Sequence, residues 1–153
     1  MGKPTKAPIL LIEDNDDDAM LIQRTLKSAG VTNPIRHLSD GDAAILYFRK
    51  RLKSPTEKPL PSLVLLDLRL AGRQGVEVLQ WIRQQPALAR LRVVVLTAHH
   101  DLREVNRAYA LGANSFLVKP LEIEDVKSFR TFLDAHILVP ADTSLLNPPP
   151  KLP

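Results

Sequence analysis

Residues 63–67 read Leu63-Val64-Leu65-Leu66-Asp67, a continuous apolar run that stops on a carboxylate. A short unbroken run of Val and Leu is what a strand buried on both faces of a parallel sheet requires. The pattern recurs three times. Ile9-Leu10-Leu11-Ile12 runs into Glu13 and Asp14, Val93-Val94-Val95-Leu96 into Thr97, and Phe116-Leu117-Val118 into Lys119. Ligands of open α/β sheets bind beyond the carboxyl ends of the strands. Three carboxylates, a hydroxyl and an ammonium are therefore expected to converge at one edge, around a pocket that solvent reaches. Such a set suits a hard cation together with an oxyanion.

Between these runs the spacing becomes helical. A helix over 16–29 starts with Asp16, Asp17 and Asp18, where its dipole favours negative charge. Ala19, Ile22, Leu26 and Ala29 share one face before Gly30. A short strand covers 35–39, and Asp40 or Asp42 caps a helix running to about Arg51. A basic, proline-containing connection (53–61) precedes the strand at 62–67. The next helix opens at Gln74-Gly75, carries Val78, Leu79 and Ile82, and ends near Gln85 before Pro86. A strand at 91–97 leads to a helix with Leu102, Val105, Ala108 and Tyr109, ended by Gly112. The fifth strand is 115–118, and a last helix carries Val126, Phe129 and Leu133. Five alternations predict an α/β domain: a doubly wound parallel sheet with helices on both faces. Residues 1–7 read as an N-terminal tail, 8–137 as the domain, and 138–153, with Pro140, Pro148-Pro149-Pro150 and Pro153, as a Pro-rich C-terminal tail.

The 153 residues are 44% hydrophobic and 25% charged, the balance of an ordinary globular domain. No cysteine is present, which excludes disulfides and thiolate metal sites. No run approaches the ~18 apolar residues of a membrane span, and no signal-peptide core follows Met1, so no membrane association and a cytoplasmic location are expected. The net charge of +4 raises the question of nucleic acid. Its densest basic cluster, Arg49-Lys50-Arg51-Leu52-Lys53 near Lys58, lacks interleaved aromatics and reads as a solvated loop.

Glu13, Asp14 and Asp67 end two strands that would be neighbours in such a sheet. Crowded carboxylates repel, and the usual remedies are a divalent cation or a raised pKa. All-oxygen ligands favour Mg²⁺. A carboxylate beside bound Mg²⁺ can attack a phosphoryl group, with Lys119 and Thr97 contacting its oxygens. A lone carboxylate at a strand end is ordinarily a cap or turn residue, but five positions in register change that reading.

These residues resemble the receiver domain of bacterial two-component response regulators over about residues 8–137. The resemblance rests on Glu13-Asp14 in ILLIEDN, Asp67 in LVLLDLRL, Gly75, Thr97 in VVVLTA, and Lys119-Pro120 in FLVKP. It implies a flavodoxin-like (βα)5 fold with strand order 2-1-3-4-5. Asp67 would be the phosphoacceptor, and Glu13, Asp14, Asp67 and the backbone carbonyl of Arg69 would hold Mg²⁺. Lys119 would contact the phosphoryl group and precede a cis peptide at Pro120. Thr97 and Phe116 would form the switch, although Phe116 also reads as a core aromatic. Glu13 stands where Asp is frequent, Ala71 where proline is, and Gln74 where Asp precedes the glycine. Phe116 lacks the hydroxyl of the frequent tyrosine, and Arg69 and His99 occupy positions that tune phosphate lifetime.

No DNA-binding or enzymatic output domain is expected outside the receiver. The resemblance therefore implies a single-domain regulator rather than an enzyme. It would be phosphorylated by a sensor histidine kinase and act on a downstream protein or phosphotransfer partner. The IEDN…DDAML opening and the basic insert resemble regulators associated with bacterial phytochromes, some of which are homodimers. Two alternatives stand beside this: a pseudo-receiver scaffold that works without phosphorylation, and a haloacid-dehalogenase-like phosphohydrolase. The hydrolase needs an acid/base Asp two residues after its nucleophile, where this chain has Arg69.

Overall fold

The computed structural model describes residues 7–54, 59–98 and 102–128. Both tails beyond Ala7, His99 and His100, the middle of the basic insert, and Phe129, Leu133 and His136 lie outside the described residues. The elements alternate as β1 (Ile9–Ile12), α1 (Asp16–Ser28), β2 (Ile35–Leu38), α2 (Gly41–Lys53), β3 (Leu63–Asp67), α3 (Gly75–Gln84), β4 (Val93–Thr97), α4 (Leu102–Ala110) and β5 (Ser115–Val118). A helical stretch over residues 123–128 follows. All five strands are parallel, in the order β2-β1-β3-β4-β5, the flavodoxin-like arrangement.

Helices cover both faces, so β1, β3 and β4 are buried along their whole length. One layer packs Leu10, Ile12, Val64, Leu66, Val93 and Val95 against Ala44 and Phe48 of α2, Val78, Leu79 and Ile82 of α3, and Ala108 of α4. The other packs Ile9, Leu11, Leu65, Val94 and Leu96 against Ala19, Ile22 and Leu26 of α1 and Val126. Adjacent residues of one strand thus serve opposite layers, which is why continuous apolar runs were needed.

Local signals set the boundaries. Asn15 caps α1 by accepting the Asp18 N–H at 2.9 Å. Asp40, not Asp42, caps α2 through the Ala43 N–H at 2.7 Å; Asp42 instead pairs with Arg73 at 2.7 Å. Between α3 and β4 the sequence pattern missed a 3₁₀ turn, Pro86–Leu88, started by a proline whose φ suits a first helical position. Arg83 braces this end of the sheet. Its guanidinium donates to the carbonyls of Leu88 (3.2 Å), Ala89 (3.4 Å) and Gly112 (3.0 Å) and to Asn114 Oδ1 (3.1 Å). Burial lowers its pKa from the usual arginine value.

Candidate functional site

Register builds the site. Ile12 pairs with Leu66, so the residues that follow them, Glu13 and Asp67, emerge side by side at the carboxyl edge. Asp14 comes next on the β1–α1 connection. Each of Glu13, Asp14 and Asp67 offers an oxygen, and these lie within 4.8 Å of one another. Thr97 ends β4, buried, and its carbonyl accepts the Lys119 N–H at 2.7 Å, which ties the start of the β5–helix connection to the same edge. The Lys119–Pro120 peptide bond is cis.

Backbone N–H groups orient one oxygen of each carboxylate. Asn15 donates to Glu13 Oε1 (3.2 Å), Ala71 to Asp14 Oδ2 (3.0 Å) and Arg69 to Asp67 Oδ1 (2.8 Å). Gly75 makes the tight loop beneath Asp67 possible. A Cβ there would overlap the Asp67 carbonyl oxygen and stand 2.6 Å from Leu68 Cα.

Lys119 fills the centre. Its ammonium donates to Asp67 Oδ2 (2.8 Å), Glu13 Oε2 (3.0 Å) and Asp18 Oδ2 (3.1 Å). Burial works against its charge, but these three acceptors outweigh that and raise its pKa. Glu13 is fully buried, and desolvation, reinforced by its hydrogen bond and repulsion with Asp67, raises its pKa from 4.5 to about 7. Asp14 is exposed. Asp67 is only 4% exposed, more covered than the sequence led us to expect.

Two further contacts were not visible in sequence. His37 Nε2 donates to the Glu13 carbonyl at 2.7 Å, and Asp18 joins the lysine cluster. Asp18 had a faint signal. It lies four residues before Ile22, on the edge of the core-facing stripe of α1, whereas Asp16 and Asp17 are exposed. Phe116 is half-buried and meets Tyr109 edge-on, ring centroids 6.2 Å apart. The Arg69 side chain turns to Glu104 of α4 at 3.7 Å.

The sequence profile of the response regulator receiver domain matches residues 9–129. The chain belongs to the response regulator receiver family. It is 45% identical over 119 residues to the probable methanogenesis regulatory protein FilR2 of Methanothrix harundinacea, covering 78% of this chain and 76% of that protein. To the response regulator Rcp1 of Synechocystis it is 36% identical over 137 residues, covering 87% and 92% respectively. The Mn²⁺-bound crystal structure of Rcp1 superposes with a TM-score of 0.69 at 35% identity, over 82% of this chain and 93% of that one. The bacteriophytochrome response regulator AtBRR superposes with a TM-score of 0.73 at 33% identity, over 88% and 95%. These likenesses place the chain in a signalling family, with a bacteriophytochrome response regulator among the structures it resembles. No helix among the described residues is long and apolar enough to cross a membrane.

Proposed function

We propose that this receiver is a single-domain response regulator whose Asp67 accepts a phosphoryl group from a sensor histidine kinase and whose phosphorylated form signals through protein–protein contact. The observation that carries the reading is Asp67 Oδ2 lying 2.8 Å from Lys119 Nζ, inside a trio of convergent carboxylates. The donor set is all oxygen and crowded, which fits Mg²⁺: Glu13, Asp14, Asp67 and the Arg69 carbonyl would hold it. When bound, the ion supplies positive charge that offsets the phosphoryl oxygens and the carboxylates.

The chain's own residues do the rest. An Asp67 carboxylate oxygen attacks phosphorus; that O–P bond forms as the bond to the kinase imidazole nitrogen breaks, and the nitrogen keeps the electron pair. Lys119 exchanges a carboxylate partner for a phosphoryl oxygen, and the Thr97 hydroxyl donates to another. Phe116 follows Thr97 as a steric switch against Tyr109. Likeness to a bacteriophytochrome response regulator supports a phytochrome as the kinase; the reading carries with it a candidate homodimer and 8–137 as the folded unit.

The test is intact mass after incubation with acetyl phosphate and Mg²⁺. The wild type gains one phosphoryl group and Asp67→Asn gains none. The pseudo-receiver reading draws on the burial of Asp67. It predicts no mass gain and a partner affinity that beryllofluoride leaves unchanged. Steady turnover of a phosphate ester would instead support the hydrolase, against Arg69 at the acid/base position.

A further inference from the structure

The geometry points to Asp18 as a positioning residue that retains the Lys119 ammonium while Glu13 and Asp67 serve a divalent cation. The ammonium has three N–H bonds and three carboxylate partners, at 2.8, 3.0 and 3.1 Å. Two of these partners, Glu13 and Asp67, belong to the trio within 4.8 Å that would hold a cation; Asp18 does not. A cation drawing on Glu13 and Asp67 competes with Lys119 for the same oxygens. It also sets a second positive charge beside the first. Asp18 is the partner that stays available.

Its placement suits that task. The Asp18 N–H is fixed by the Asn15 cap at 2.9 Å, so its backbone is held at the helix start. Its side chain is 42% exposed, against 0% for Glu13 and 5% for Asp67, so it sits at the solvent side of the cluster. A cavity of about 360 Å³, lined by Asp18, Leu21, Ile22, Thr25, Lys119 and Pro120, gives the lysine room to follow it. Asp17 carries the same charge in the same turn, but Lys119 pairs with Asp18 and not with Asp17.

The inference rests on the cation-site reading, and one experiment separates the two. Mg²⁺ is titrated calorimetrically into the unphosphorylated full chain as wild type, Asp18→Asn, Asp18→Glu and Asp17→Asn. Asp17→Asn removes only a screened surface charge and weakens binding by less than about twofold. Asp18→Asn is expected to weaken it about fivefold, and Asp18→Glu to recover most of that. In a ¹⁵N-edited spectrum of the Mg²⁺-loaded protein, the Lys119 ammonium protons stay protected from solvent exchange in the wild type and lose that protection in Asp18→Asn. Equal effects of Asp18→Asn and Asp17→Asn, or tighter binding by Asp18→Asn, overturn the role of Asp18 alone. A wild type that takes up no Mg²⁺ overturns the cation site and this inference together.

Discussion

On the α1 flank of the acidic edge, three carboxylates hold Lys119 within 3.1 Å and its side chain is 13% exposed; on the α4 flank, Arg69 reaches Glu104 at 3.7 Å with 64% of its side chain in water. The first flank is a desolvated charge cluster in which every partner depends on the others. The second is a screened surface pair beside one edge-on aromatic contact, Tyr109 with Phe116. Under the proposed phosphorylation, a rearrangement on the α4 side would break a screened ion pair and an edge-on ring contact rather than a desolvated charge cluster. Under the proposed function, the contrast would put recognition of the phosphoryl group on one flank and its readout on the other.

The largest effect should come from Lys119→Met, which leaves Glu13 and Asp67 buried without their counter-charge. A loss of about 3 kcal/mol is expected in urea unfolding at pH 8 without Mg²⁺. A loss under 1 kcal/mol would mean that the flanks are alike. Next comes pH. Because burial raises the Glu13 pKa from 4.5 to about 7, between those values the folded, metal-free protein holds a proton there that the unfolded chain has released. Its stability contribution is present at low pH and lost as pH rises through about 7. A cation must displace that proton, so Mg²⁺ affinity measured at pH 8, 7 and 6 should fall towards about tenfold per unit below 7. A flat profile down to pH 5 would show an ordinary carboxylate.

Smaller effects belong to the α4 flank. Phe116→Leu removes the ring contact with Tyr109 and should cost about 1 kcal/mol in the same unfolding assay. Arg69→Ala should change stability by less than about 0.5 kcal/mol, because its partner interaction is long and hydrated. A cost comparable to that of Lys119→Met would erase the asymmetry.

How much of this was legible in the chain follows from the range of each signal. The strands were readable because parallel, doubly covered strands must be apolar at every position, as 63–66 and 93–96 are. Glu13, Asp14 and Asp67 were readable as a group because strand ends in one parallel sheet share an edge. Asp18 was not singled out, since three successive aspartates at a helix start look equivalent until helical phase and the reach of Lys119 separate them. The pairing of Lys119 with Asp67 depends on side-chain directions at positions 52 residues apart, which spacing does not encode. His37 was an isolated histidine in sequence and proves to be a donor to the Glu13 backbone.

The brace formed by Arg83 lies at the amino ends of β4 and β5, opposite the acidic edge. Val93 and Asn114 also lock there, through the Val93 N–H on Asn114 Oδ1 and the Asn114 N–H on the Val93 carbonyl, both at 2.8 Å. These two strands are thus clamped at their amino tips, while their carboxyl tips meet through the Lys119 N–H on the Thr97 carbonyl at 2.7 Å. A displacement at Thr97 is therefore handed directly to Lys119, and the brace at the far end keeps the strands from sliding through the sheet.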